Sequence, residues 1–167
     1  MYIRLIRNQP QGSAITGRLI INGHWFCNTL ERVGYQIPAL CYHVCVTQSP
    51  KFKRLLPLVT GVPRLPIGGT PSNSEAPDSP KPVQYPAAEC RTGIRFHRGT
   101  KPEHSTGCIL VVADNRKRSA ANVESQLTQL LLQNQLAHEE IILEVTDFHP
   151  GTEYGYNTPC PPELQKP

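Results

Sequence analysis

The sequence predicts a mainly β, α+β fold: a mixed sheet or partial β-barrel with one helix from the C-terminal half packed on it. Two observations carry this. Strand-like runs with period-two alternation and turn signals fill the first half of the chain. The element order is then many strands, one late helix and a last strand, which suits a helix packed on a sheet.

The first strand is YIRLIR, Tyr2 to Arg7, where apolar and basic residues alternate. NQPQGS marks a turn. AITGRLIINGHWFCNTLE then reads as a hairpin. Its strands run to Ile21 and from His24, joined by Asn22-Gly23, because both residues tolerate positive φ. ALCYHVCVTQ is the next strand, with Tyr42, Val44 and Val46 on one face and Cys41, His43 and Cys45 on the other. From about residue 62 to 90 the texture changes, and seven of the 17 prolines fall there. This segment is expected to be a long, irregular insertion that could fold over a neighbouring site. TGIRFH and CILVVA resume as strands. SAANVESQLTQLLLQNQLAHEE is the helix, with Ser119 as N-cap and Val123, Leu127, Leu130 and Leu131 on one stripe. EIILEVTDF is the last strand. The reading is one domain over 1–148 and an irregular tail over 149–167.

With 167 residues the chain can bury a real core, although only 38% of its residues are hydrophobic. A net charge of +4 is mild, and no basic cluster longer than Lys51–Arg54 is interleaved with aromatics along the sequence. Nucleic acid is therefore not an expected partner. No apolar stretch approaches the roughly 20 residues of a membrane span. The opening residues MYIRLIRNQPQ lack the apolar core of a signal peptide. This predicts synthesis in the cytoplasm, with any action outside depending on dedicated export or lysis. Six cysteines in a chain of this size are expected to be mostly reduced thiols.

The stretch FHRGTKPEHSTGCILV, residues 96 to 111, concentrates the chemistry. A cysteine nucleophile reacts as thiolate, and an imidazole can take its proton. One predicted strand ends at His97 and another starts near Cys108, which makes their approach easy. Gly107 suits a close approach or positive φ before the nucleophile. The N–H groups of Gly107 and Cys108 could form an oxyanion hole. Ser105 and Thr106 are expected to hydrogen-bond the turn and orient the imidazole. Arg95, on the strand face of His97, is expected to offer its guanidinium to a substrate carboxylate. The opposing reading is a core cysteine leading into an apolar strand.

The order His-Arg-Gly-Thr … Ser-Thr-Gly-Cys-Ile resembles the catalytic signature of the L,D-transpeptidases. That resemblance implies an L,D-transpeptidase-like catalytic core, with His97 as general base and Cys108 as nucleophile. Ser105 and Gly107 then lead into the nucleophile, and the carbonyl of Arg98 orients the histidine ring. Thr106 and Leu110 stand where that family has a second histidine and an arginine. More of the chain is similar to a family of small bacterial and phage domains, some linked to type VI secretion. The shared segments are Thr29-Leu30-Glu31, Ser49-Pro50-Lys51-Phe52, Leu56-Pro57 and the stretch around His97 and Cys108. Within them Glu31 either orients the site or ends a strand. Thr100 and Ser105 replace an Asn and an Asp but keep a hydrogen-bonding side chain.

Together these resemblances imply a cysteine-dependent enzyme acting on peptidoglycan stem peptides through a Cys108 acyl-enzyme. They also imply an antibacterial effector acting in the periplasm of a target cell and met by an immunity protein. The alternative is a non-enzymatic, phage- or secretion-associated binding module in which Cys108 is structural. No cofactor is expected. His104 is an alternative base, more simply a solvent-facing residue. Cys41, His43 and Cys45 share a strand face, but a structural zinc needs a fourth ligand and no complementary pair stands out. Trp25 is expected to be a half-buried aromatic or a groove wall. Lys51, Lys53 and Arg54 form a small basic cluster, either solvated or placed to meet substrate carboxylates.

Overall fold

The computed structural model describes residues 1–64 and 90–147. The tail expected over 149–167 and most of the proline-rich segment lie outside the described residues. Among the described residues eight strands and one α-helix follow in order: β1 Tyr2–Arg7, β2 Ala14–Ile21, β3 His24–Arg32, β4 Cys41–Gln48, β5 Leu55–Thr60, β6 Phe96–Arg98, β7 Ile109–Val111, α1 Ala120–Leu136 and β8 Ile142–Thr146. The strands form one mixed sheet in the order β5-β4-β8-β1-β2-β3-β7-β6. Its two ends meet where Leu58 bridges Arg95 and the Val59 N–H donates to the Ile94 carbonyl at 2.8 Å, so the sheet is a nearly closed barrel. Closure removes the exposed edges that an open sheet would present.

The alternation seen in the sequence sets the two faces. Ile3, Leu5, Leu19, Val44, Val46, Val59, Phe96, Ile109, Val111, Leu143 and Val145 form a single buried cluster on the inner face. Asn22 and Gly23 both take positive φ, 48° and 83°, as the β2–β3 turn requires. The Ser119 side chain accepts the Asn122 N–H and caps α1. Val123, Leu127 and Leu131 of α1 join the inner cluster, with Leu130 packed at its margin. Among the described residues no helix is long and apolar enough to cross a membrane.

Side chains of α1 also complete the sheet. Gln135 accepts the Val46 N–H at 2.6 Å and donates to the Val46 carbonyl at 3.2 Å. Val46 therefore spends both backbone groups away from β5, opposite which stands Pro57. That explains a strand the sequence reading did not anticipate. Proline has no N–H to give, yet at this position no ladder bond to β4 is lost.

At the stem of the proline-rich segment, Pro63 bridges Cys90 and the Arg91 N–H donates to the Val62 carbonyl at 2.6 Å. The chain thus leaves and re-enters the barrel at one place.

Candidate active site

β6 and β7 run parallel, with Phe96 beside Ile109, His97 beside Leu110 and Arg98 beside Val111. One place earlier, Cys108 lies opposite Arg95. Phe96, Ile109 and Val111 point into the core, so the other face carries Arg95, His97, Cys108 and Leu110. His97 and Cys108 are diagonal neighbours on that face, roughly 8 Å apart at Cα from strand spacing and rise. The sequence suggested two strand ends side by side. Instead, the start of β7 lies beside the start of β6, and the histidine is two residues beyond the level of Cys108.

His97 is 4% exposed. Its Nδ1 lies 2.9 Å from the Arg98 carbonyl oxygen. A carbonyl can only accept, so Nδ1 carries the proton and Nε2 of the neutral ring is left with a lone pair. The Phe52 ring covers the imidazole with centroids 4.6 Å apart. Burial pushes the His97 pKa below its ordinary value, and the charges of Lys51 and Arg54 act in the same direction. The Arg98 carbonyl and the Glu124 carboxylate oppose this shift.

Cys108 is half-buried. Its thiol turns toward the Gly93 carbonyl at 3.6 Å. Among the described residues no hydrogen bond joins it to His97. Burial pushes the Cys108 thiol up, whereas the Arg95 backbone N–H and the charges of Lys51, Arg91 and Arg95 pull it down. The resting sulfur is therefore a thiol, and ionising it at neutral pH requires a base.

The connection between the strands is built around Ser105, which is 3% exposed. Its hydroxyl donates to the Cys108 carbonyl at 2.7 Å and accepts the Gly107 N–H at 3.0 Å. Ser105 braces the turn, as expected, but does not touch the imidazole. The proposed oxyanion hole is corrected by the same bond. The Gly107 N–H is already taken, leaving only the Cys108 N–H without a partner among the described residues. Gly107 takes φ +129°, and a Cβ there would lie 2.1 Å from Arg91 Nη2. Arg91 in turn donates to the Thr106 carbonyl at 2.9 Å and the Tyr35 carbonyl at 3.2 Å.

Other expected site residues take different places. The Arg95 guanidinium is buried and donates to the carbonyls of Thr47, Leu56 and Gln48 and to the Thr47 hydroxyl. It ties β6 to β4 and β5 rather than facing open space. His104 is exposed in a short 3₁₀ turn, Pro102–His104, and its Nδ1 accepts the Thr100 N–H at 3.3 Å. Thr100 and Thr106 are exposed. Glu31 is 1% exposed and forms a two-pronged ion pair with Arg7, at 2.7 and 2.8 Å. Arg7 also reaches Asp147 and the Ile37 carbonyl.

Lys51 and Arg54, read from the sequence as part of a basic cluster, lie near His97, and three further residues near the pair were not singled out as site residues from the sequence: Phe52, Arg91 and Glu124. Phe52 lies in the shared Ser49–Phe52 segment, the one signal that pointed to it. The fold also assembles a cationic and aromatic cluster from residues distant in sequence. Arg116 stacks on Trp25 at 4.5 Å, and Arg118, paired with Asp114, lies over Phe26 at 5.2 Å. Among the described residues no group of three His, Cys, Asp or Glu side chains is placed to hold a metal ion.

Comparison with protein-family models, with curated proteins and with solved structures finds no match.

Proposed function

We propose that this chain is a cysteine acyltransferase or peptidase of the L,D-transpeptidase or L,D-carboxypeptidase type, acting on peptidoglycan stem peptides. The observation that carries the reading is the His97 tautomer: Nδ1 is held by Arg98, and Nε2 is the free base on the face that bears Cys108. The motif resemblance supplies the substrate class. Action as an exported antibacterial effector in a target cell's periplasm rests on that resemblance.

Rotation about χ1 takes the Cys108 thiol from the Gly93 carbonyl toward His97. Nε2 accepts the thiol proton as sulfur attacks an amide carbonyl carbon, forming the C–S bond. The Cys108 N–H is the backbone donor available to the oxyanion. The C–N bond then breaks, and the imidazolium gives its proton to the leaving amine. Water or an acceptor amine attacks the thioester and returns a proton through His97 to sulfur. Water gives hydrolysis, and an amine gives transpeptidation.

Purified peptidoglycan incubated with the protein should yield altered muropeptides by mass spectrometry, and Cys108→Ala should yield none. Unchanged product formation by Cys108→Ala would end the proposal. A second reading, a binding module with a structural cysteine, draws on the thiol's resting contact with Gly93. Selective, rapid alkylation of Cys108 at neutral pH favours the enzyme, and inertness favours the module.

A further inference from the structure

We infer that Glu124 is a positioning residue for His97, acting through the Arg98 backbone. This rests on the Cys108–His97 reading above.

Arg98 has a special place in the sheet. The Gly99 N–H donates to the Val111 carbonyl at 3.2 Å, and the Ile109 N–H donates to the Arg95 carbonyl at 3.0 Å. The odd-numbered residues of this stretch therefore spend their backbone groups on β7. The N–H and C=O of Arg98 point the opposite way, past the end of the short contact with β5 at Leu58 and Arg95. Two side chains satisfy them. Glu124 Oε2 accepts the Arg98 N–H at 2.7 Å, and His97 Nδ1 donates to its C=O. Residue 98 is thus held between the helix and the imidazole.

Glu124 is itself fixed. It is 6% exposed and held by a fork from Arg54, with Nε and Nη2 each 2.9 Å from the carboxylate. Arg54 also lies over the Phe52 ring at 5.1 Å, and Phe52 covers His97. The helix, the β4–β5 loop and β6 converge on one imidazole.

Charge adds to geometry. The groups facing His97 are Glu124 from α1, Lys51 and Arg54 from the β4–β5 loop, and Cys108 from the start of β7. Glu124 is the anion that favours the imidazolium formed when His97 takes the thiol proton. Arg54 and Lys51 oppose it. Removing Glu124 loosens the ring's backbone partner and makes the ring a weaker base.

The test uses the full chain. Cys108 carbamidomethylation by iodoacetamide is followed from pH 5 to 9, and His97 ionisation is followed by NMR. Glu124→Ala should slow alkylation roughly tenfold near neutral pH, as expected for a misplaced base. It should also move the His97 titration to lower pH. Glu124→Gln keeps an acceptor for the Arg98 N–H and should restore most of the rate, while its titration stays displaced. Arg54→Met breaks the same ion pair but leaves the Glu124–Arg98 bond, and should move the titration upward. If Glu124→Ala does not fold, the opposite displacements in Glu124→Gln and Arg54→Met decide the matter. A wild-type rate and titration in folded Glu124 variants overturns this inference alone. Wild-type alkylation in His97→Ala instead overturns the Cys108–His97 reading.

Discussion

His97 donates from Nδ1 to the carbonyl of Arg98, the residue that follows it, across 2.9 Å. A neutral carbonyl orients the ring without adding a full charge, so the basicity of Nε2 depends on the surroundings. Replacing His97 by Ala should lower muropeptide turnover about 10²–10⁴-fold, the usual contribution of a general base. Product quantification by mass spectrometry checks this.

The pH dependence follows from the two displaced groups. His97 lies below its ordinary 6.5 and Cys108 above its ordinary 9.0. Alkylation of Cys108 should therefore rise in two steps. The first lies below pH 6.5, as His97 loses its proton, and the second above pH 9, as the thiol ionises unaided. His97→Ala should keep only the second step. A single step in the wild type would show that the histidine does not assist the thiol.

Stability should fall at alkaline pH. Burial pushes Cys27 up to about 12 and Cys41 up to about 11. A thiol whose folded value exceeds its unfolded value of 9.0 contributes stability that is complete below pH 9 and lost as pH rises toward the folded value. His97 works on the other side. Its folded value lies below 6.5, so its contribution is present above pH 6.5 and lost as pH falls through the folded value. Urea midpoints measured across pH should show a reduced alkaline loss in Cys27→Ala, relative to its own neutral value.

Ser105→Ala removes both bonds of the turn and leaves the buried Gly107 N–H unpaired. A cost of about 1–3 kcal/mol is expected by urea denaturation. Gly107→Ala should cost at least as much, from positive φ and from the overlap with Arg91. Adding Arg91→Ala relieves the overlap but not the backbone, so the double variant should recover only part of the loss.

The Arg7–Glu31 pair is buried at 2% side-chain exposure on both sides. Breaking it with Glu31→Leu leaves the buried guanidinium only Asp147 and the Ile37 carbonyl, and should cost about 3 kcal/mol, the low end for a broken buried pair. Arg7→Leu in the same protein should recover much of that. The alkylation rate of Cys108 in the folded double variant should stay near wild type, which separates Glu31 from the site.

Much of the barrel was legible because its strands are buried on one face. Val44 and Val46 alternate with Cys45, and Asn22-Gly23 supplies the turn chemistry in two adjacent letters. The helix was legible through Val123, Leu127 and Leu131. β5 was not, because Pro57 argues against a strand until Gln135 is seen to occupy Val46 from the other side. At the site, His97, Cys108, Ser105 and Gly107 stand close in sequence and could be grouped by residue type. Glu124, Phe52 and Arg91 could not, since long-range pairing of short strands brings them in. Arg95 misled because a strand face says where a guanidinium starts, not which carbonyls it reaches.

β1 lies between β2 and β8, paired antiparallel to one and parallel to the other. The first of the described strands is thus completed by one of the last described segments, Ile142–Thr146. A chain growing on the ribosome must hold Ile3 and Leu5 half-covered until those residues emerge. The barrel should consequently fold late and slowly, with a long interval in which an apolar strand edge is open to the wrong partner.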